Sequence, residues 1–355
     1  MTLSIDVRKQ LGAFTLDITL ETGPGVTALF GRSGSGKTSL VNLIAGLDRP
    51  ESGRIVLDGR VLFDVSRGIC VPARKRRIGY VFQEGRLFPH LSVRSNLLYG
   101  RWLTPKARRW GGLDEVVELL GIGGLMGRMP RDLSGGEKQR IAIGRALLSS
   151  PDCLLMDEPL AALDRARKTE ILPYIERLRD AKRLPIVYVS HSVEEVARLA
   201  DTVALIDNGR VSALGPVSEV FAHLDASSDW DDGAVLEAIV VAQDLSAGIT
   251  RLSHPAGPLT VPHIDMPVGG RARVRIRARA VVLAVGEPGR LSVRNRLSAQ
   301  VVAIAEGQGA EVGVRLDAAG SPILARVTRE AVRELELAPG VSVTALVKAV
   351  ALDGT

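Results

Sequence analysis

With 355 residues and 46% hydrophobic side chains, the chain is too long for one typical core and has enough apolar material for two or three domains. Its net charge of +6 sits mainly in the first part, because residues 231–355 carry 14 basic and 13 acidic side chains against 32 and 27 before them. An excess this mild fits a nucleotide ligand or a membrane-apposed surface and does not call for nucleic acid.

Two cysteines, Cys70 and Cys153, stand in no metal or redox spacing and read as reduced thiols of a cytosolic protein. The N-terminus lacks a signal-peptide pattern. No run approaches the roughly 20 apolar residues of a membrane span. The chain is expected to be soluble by itself.

In chain order, the pattern predicts two short strands, Leu3 to Val7 and Phe14 to Leu20. Leu11 or Phe14 stands about where an adenine ring could stack, or is simply core. Val26 to Phe30 reads as a buried strand. It runs into Gly31-Arg32-Ser33-Gly34-Ser35-Gly36-Lys37-Thr38, and the apolar residues of Ser39 to Ala45 then recur at helical spacing. Strand, glycine loop and helix together make a phosphate site. The glycines let several backbone N–H groups converge on one anion, and the helix start adds a positive dipole end. Lys37 can reach terminal phosphates, and the Thr38 hydroxyl can ligate Mg²⁺.

Gly53 to Gly59 resembles a strand entering a turn. Arg67 and Arg74-Lys75-Arg76-Arg77 form a basic patch, expected to be a solvated surface beside the strand Ile78 to Phe82. Gln83 follows directly, and the end of a strand is where sites form in open α/β folds.

Residues 85–130 read as a mainly helical insert. Ser92 can cap a helix over Val93 to Tyr99, and Leu113 to Leu120 is another helical stretch. Leu133-Ser134-Gly135-Gly136-Glu137 then opens the helix containing Ile141 to Leu148. Ser134, Gly135 and Gly136 are either a plain cap or a second anion-binding helix end. One phosphate tail rarely needs two such ends from one subunit, so a site here would face a nucleotide held by another copy of the chain. Cys153 to Met156 runs apolar into Asp157-Glu158-Pro159, where Asp157 suits the shell of Mg²⁺ and Glu158 suits a base for an attacking water. Asp164 leads into a helix around Ile171 to Leu178. His191 ends the strand Ile186 to Ser190, as a structural histidine or as a contact to a γ-phosphate.

The order Gly31–Thr38, Gln83, Leu133–Gln139, Met156–Glu158, Asp164, His191 resembles an ABC-transporter nucleotide-binding subunit, a match over residues 1 to about 225. The resemblance implies an α/β P-loop ATPase domain over residues 1–228, with a helical subdomain at about 85–150. It implies ATP and Mg²⁺ as cofactors, the metal held by Thr38, Gln83 and Asp157. Two copies would sandwich two ATP molecules, each site joining one copy's Gly31 to Thr38, Gln83 and Asp164 to the other's Ser134-Gly135-Gly136. Glu158 would be the catalytic base and His191 the switch residue, with Gln83 transmitting nucleotide state to a membrane partner. Two departures are visible: Glu137 stands for the commoner Gln, and Ala161 for the commoner Ser.

Composition shifts after Phe221, and Asp225 to Gly233 reads as a linker. Beyond it, residues 229–355 read as an all-β domain, with strands at Val235 to Ala242, Ala247 to Ser253 and Leu259 to Val261. Arg271 to Arg279 alternates strictly, with five arginines on one face, and reads as a half-buried strand with a solvated basic face. Strands at Gln300 to Ala305, Glu311 to Leu316 and Ile323 to Val327, a helix from Arg329 to Leu337, and a last strand from Val341 to Val350 suggest a small oligonucleotide/oligosaccharide-binding (OB)-like barrel.

Ser292-Val293-Arg294-Asn295 and Val347-Lys348-Ala349 resemble the Mop (TOBE) accessory domain, placing such a unit at 291–355. That resemblance implies oxyanion ligands at Ser292, Arg294, Asn295 and Lys348, with molybdate as a candidate ligand; a purely structural barrel is the other reading. The N-terminal segment, Gly59 to Asp64, Gly68 to Cys70 and Arg76 to His90 also resemble the ATPase subunit of bacterial molybdate importers. The implied protein lies on the cytoplasmic face of the inner membrane. Its partners would be two transmembrane permease subunits and, indirectly, a periplasmic molybdate-binding protein, with no nucleic acid. Import of tungstate or sulfate, a non-transport ABC ATPase, and a molybdate-responsive regulator are the alternatives.

Overall fold

The computed structural model describes residues 2–161, 163, 165–180, 184–222, 233–305, 310–349 and 352–354. Asp164 and residues 223–232, which hold nearly all of the expected linker, lie outside the described residues. The chain divides into two units, Met1–Gly215 and Pro216–Thr355.

The first unit and its last strand run β1 (Leu3–Leu11), β2 (Phe14–Thr22), β3 (Val26–Phe30), α1 (Lys37–Ala45), β4 (Ser52–Leu57), β5 (Arg60–Asp64), β6 (Ile69–Cys70), α2 (Ala73–Arg76), β7 (Ile78–Val81), α3 (Val93–Leu103), α4 (Leu113–Leu120), α5 (Gly135–Leu148), β8 (Cys153–Asp157), α6 (Arg165–Asp180), β9 (Ile186–Ser190), α7 (Val193–Leu199), β10 (Thr202–Asp207) and β11 (Arg210–Pro216). One sheet has the order β2-β1-β4-β5-β6 and is antiparallel. The other has the order β11-β10-β3-β9-β8-β7. From β10 to β7 its pairings are parallel, so β3, β9, β8 and β7 all end on one edge.

Strands β3, β8 and β9 are buried at every residue, as parallel strands covered on both faces must be. One core joins Ile5 and Ile18 of the antiparallel sheet, Leu40 and Leu43 of α1, and Leu155 and Val187 of the parallel sheet. Each such side chain contributes about 1.5–3 kcal/mol on leaving water, so α1 is anchored along its length behind the glycine loop.

Three expectations change here. β1 and β2 run past Val7 and Leu20, because the hairpin pairs them continuously from Leu3 with Thr22 to Leu11 with Phe14. α3 continues past Tyr99 to Leu103, with Ser92 Oγ accepting from Ser95 N at 3.3 Å as its cap. The basic patch is not wholly solvated. Arg76 is buried, and Nη1 donates to Leu43 O and Ile44 O, both at 2.7 Å. It satisfies carbonyls at the C-terminus of α1 that have no partner within the helix.

The second unit contains α8 (Val217–Ala222), β12 (Gly233–Asp244), β13 (Ile249–Ser253), β14 (Leu259–Pro262), β15 (Arg271–Arg277), β16 (Val281–Ala284), β17 (Asn295–Ile304), β18 (Glu311–Ala318), β19 (Ser321–Thr328), α9 (Arg329–Glu334), β20 (Ser342–Val347) and β21 (Leu352–Gly354). Two five-stranded sheets, β14-β13-β12-β15-β21 and β16-β20-β17-β18-β19, curl around one core that includes Leu236, Val274, Leu297 and Val314.

The segment after residue 291 is not closed on itself. β16, from before it, pairs with β20, and β21, from its end, pairs with β15 of the other sheet. The arginine face of β15 is also less solvated than its alternation suggests. β15 lies between β12 and β21, Arg275 is buried, and Arg273 Nε stands 3.7 Å from Glu237 Oε1.

Candidate functional site

The loop after β3 turns at Gly34 and Gly36, both with positive φ. A Cβ on Gly36 would meet Leu16 Cδ1 at 2.7 Å and the Phe14 ring at 3.3 Å, so the turn needs glycine on space as well as on dihedral. Phe14 is half-buried and packs over this turn, whereas Leu11 sits at the hairpin end. Lys37 Nζ folds back to donate to Gly31 O and Arg32 O, both at 2.7 Å. Burial pulls the Lys37 ammonium below its usual pKa, against the opposing effect of Glu158 and then Asp157. Arg32, Ser33 and Gly34 are exposed at the loop's rim, while Ser35 is buried.

Thr38, in the first turn of α1, donates its hydroxyl to Asp157 Oδ1 at 3.2 Å. Tyr80 Oη lies 3.2 Å from Asp157 Oδ2 and 3.2 Å from Asn42 Oδ1. Burial raises the Asp157 carboxyl, hydrogen bonds from Thr38 and Tyr80 lower it, and the neighbouring Glu158 raises it again. A desolvated carboxylate beside a hydroxyl is a hard oxygen pair suited to Mg²⁺, which binds through one or two protein oxygens plus substrate phosphates. Among the described residues no group of three or more His, Cys, Asp and Glu is gathered as a closed metal cage.

Glu158 continues the ladder of β8 by donating its N–H to Val189 O at 3.0 Å. Its φ is 44°, an uncommon value for a non-glycine residue, and the backbone turns there out of the strand. His191 Nδ1 lies 3.2 Å from Glu158 Oε1. The two groups meet because β8 and β9 are parallel neighbours ending at the same level. Gln83 is exposed two residues past β7, on the same edge.

Ser134 caps α5. Its Oγ accepts from Glu137 N at 3.2 Å, and Glu137 Oε2 accepts from Ser134 N at 2.7 Å. The departure at Glu137 thus completes a capping box. The Ser134 N–H holds the Glu137 carboxyl below its usual pKa. At this helix start the backbone N–H groups of Gly135 and Gly136 have no acceptor within the helix. α5 also clasps the segment around Gln83. Gln139 Nε2 donates to Phe82 O at 3.2 Å, and Arg145 donates to Arg86 O at 2.9 Å and Gly85 O at 3.3 Å. Neither link is foreshadowed by spacing in the sequence.

In the second unit, Ser292, Arg294 and Lys348 are exposed. Asn295 pairs with Val347, which sets Arg294 and Lys348 beside each other at the ends of β17 and β20. Asn295 itself is buried, with Oδ1 accepting from Thr260 N at 2.6 Å and Nδ2 donating to Thr260 O at 3.0 Å. It is a strand clamp and is not available to an oxyanion. Its parity with buried Leu297, Ala299 and Val301 is the signal that could have placed it inward.

The family model described as ABC transporter matches residues 15–161, and that described as TOBE domain matches residues 291–353. The molybdenum import ATP-binding protein ModC of Mesorhizobium japonicum is 53% identical over 99% of this chain and 96% of its own length. The protein of the same name from Rhizobium etli is 52% identical over 100% of both chains. Among solved structures, cbiO1 of Clostridium perfringens, part of an ABC transporter complex, aligns with a TM-score of 0.53 and 27% identity over 62% of this chain and 90% of its own. A dimeric ATP-binding cassette in a post-hydrolysis state with ADP and phosphate aligns with a TM-score of 0.50 and 25% identity over 61% and 99%. With relatives more than half identical from end to end, a phosphate loop facing two strand-end carboxylates, and a capped glycine helix, the chain belongs to the ModC family of ABC transporter ATP-binding proteins.

Proposed function

We propose that this chain is the ATP-binding and ATP-hydrolysing subunit of a molybdate importer, acting as a peripheral protein on the cytoplasmic face of the inner membrane. The observation that carries the reading is the single edge on which the Lys37 loop, Asp157, Glu158 and His191 meet, in a chain 53% identical over nearly its whole length to a molybdenum import protein.

Residues 31–38 bind the phosphate tail of ATP through loop N–H groups, and Lys37 exchanges its two loop carbonyls for phosphate oxygens. Thr38 and Asp157, with Gln83 from the neighbouring strand end, would hold Mg²⁺, which offsets phosphate charge when bound. Glu158 accepts the proton of the attacking water, and His191 orients the Glu158 carboxylate and touches the γ-phosphate. A second copy supplies Ser134, Gly135 and Gly136 as the opposite wall. Water is thereby excluded only when two copies close.

Two transmembrane permease subunits follow this closure through the segment after Gln83, and a periplasmic molybdate-binding protein delivers the cargo. Nucleic acid has no part. In the second unit, Ser292, Arg294 and Lys348 offer a cationic edge for molybdate.

The test is uptake of radiolabelled molybdate by proteoliposomes holding this chain and its permease. ATP-dependent uptake that excess molybdate, but not sulfate, abolishes is the expected result. ATP-dependent uptake of sulfate in its place, or none of either, would overturn it.

A further inference from the structure

Glu195 is a carboxylate of 4% exposure in the first turn of α7. Its Oε1 accepts from Lys168 Nζ at 2.8 Å, and its Oε2 from Tyr188 Oη at 3.0 Å and Ser190 Oγ at 2.8 Å. Ser190 Oγ accepts in turn from Ser192 N at 3.0 Å, and Ser192 Oγ accepts from Glu195 N at 3.3 Å. A serine three residues before a glutamate ordinarily closes a reciprocal capping box. Here the return bond is diverted: Ser192 N turns to Ser190, and the carboxylate tucks under the end of β9. The result is a ring of hydrogen bonds anchored at Ser190 and Ser192, the two residues that flank His191.

The same carboxylate reaches α6 through Lys168. The start of that helix lies against the capped end of α5, since a Cβ on Gly135 would stand 3.2 Å from Leu163 Cδ2 and 3.7 Å from Arg167 Nη1. A contiguous path thus runs from the Ser134 end, through the first turn of α6 and the Lys168–Glu195 pair, to His191. Stability alone is a weak reason for such a pair, because burying the Glu195 carboxylate carries a desolvation cost that its attraction to a partly exposed Lys168 commonly does no more than offset.

We propose that Glu195 is a positioning residue for His191, holding the backbone on both sides of it, and that Lys168 fixes this carboxylate to the first turn of α6. The inference rests on the ATPase reading above. Misplacing a catalytic group by about 1 Å can slow a reaction about 100-fold, so a loosened His191 turn lowers turnover without weakening nucleotide binding, which uses the glycine loop.

The experiment measures kcat and ATP affinity of the full chain assembled with its permease, for Glu195→Gln, Lys168→Met, Lys168→Arg and Ser190→Ala. We expect Glu195→Gln, Lys168→Met and Ser190→Ala each to lower kcat about 10-fold or more with ATP affinity within about 2-fold, and Lys168→Arg to restore most of the loss. Wild-type kcat in the three loosening variants would overturn the proposal. So would kcat and affinity falling together with thermal stability, which is the mark of a merely structural role. If Glu195→Gln does not fold, Lys168→Met and Ser190→Ala decide. If the wild-type assembly hydrolyses no ATP, the functional reading has failed instead.

Discussion

His191 Nδ1 and Glu158 Oε1 lie 3.2 Å apart at the ends of two adjacent parallel strands. The contact restrains a carboxylate whose backbone has left the strand at a φ of 44°. His191→Ala removes the restraint and leaves the glycine loop untouched. Turnover should fall about 100-fold while equilibrium ATP binding changes by less than about 3-fold. Steady-state hydrolysis and nucleotide titration on the same preparation check both numbers.

Asp157 has its pKa raised chiefly by burial. Between the ordinary carboxylate pKa and this raised one, the folded chain holds more protons than the unfolded chain, so stability falls as pH rises through that window. Asp157→Asn removes the charge and keeps an oxygen for the Thr38 hydroxyl. The nucleotide-free variant should therefore be more stable at neutral pH, with a higher Tm than wild type. It should lose the extra stabilisation that Mg²⁺ adds to ATP. Thermal melts at two pH values, with and without MgATP, measure both effects.

Glu137 closes a box with Ser134. Glu137→Gln keeps the acceptor and should change stability by less than about 0.5 kcal/mol, whereas Glu137→Ala should cost about 1 kcal/mol. Ser134→Ala removes the same cap together with a wall of the proposed partner chamber. It should lower turnover of the assembled transporter well beyond its small effect on melting. Chemical denaturation beside ATPase assays separates the two roles.

Arg145 grips the carbonyls of Gly85 and Arg86 from α5. Arg145→Ala frees the segment after Gln83 from that helix. ATP hydrolysis by the isolated chain should change less than about 3-fold, while ATP-driven uptake by the reconstituted transporter drops about 10-fold or more. The ratio of ions moved to ATP consumed is the quantity to measure.

The parts of this site legible in the sequence are those fixed by local backbone. Gly31 to Thr38 declares itself through glycines that a tight turn requires, and Ser134 as a cap ahead of the two glycines that open a helix. Asp157 and His191 were legible as strand ends, and a parallel sheet brings strand ends together. What spacing does not reveal is partnership across distance. Arg76 reads as one more surface cation until the end of α1 arrives above it. Nothing in the spacing around Glu195 shows that Tyr188 and Ser190 close on it. Asn295 stood among the oxyanion ligands through the resemblance of Ser292-Val293-Arg294-Asn295 to the Mop domain, yet the two-residue period of β17 turns it inward to Thr260.

The most direct measurement is single-turnover hydrolysis of ATP by Glu158→Gln in the assembled transporter, with bound nucleotide counted in parallel. The expected rate is about 100- to 10,000-fold below wild type, with ATP retained uncleaved in a closed dimer of two copies. Hydrolysis at the wild-type rate, or failure to retain ATP at all, would contradict the assignment of Glu158 as the base and the mechanism built on it.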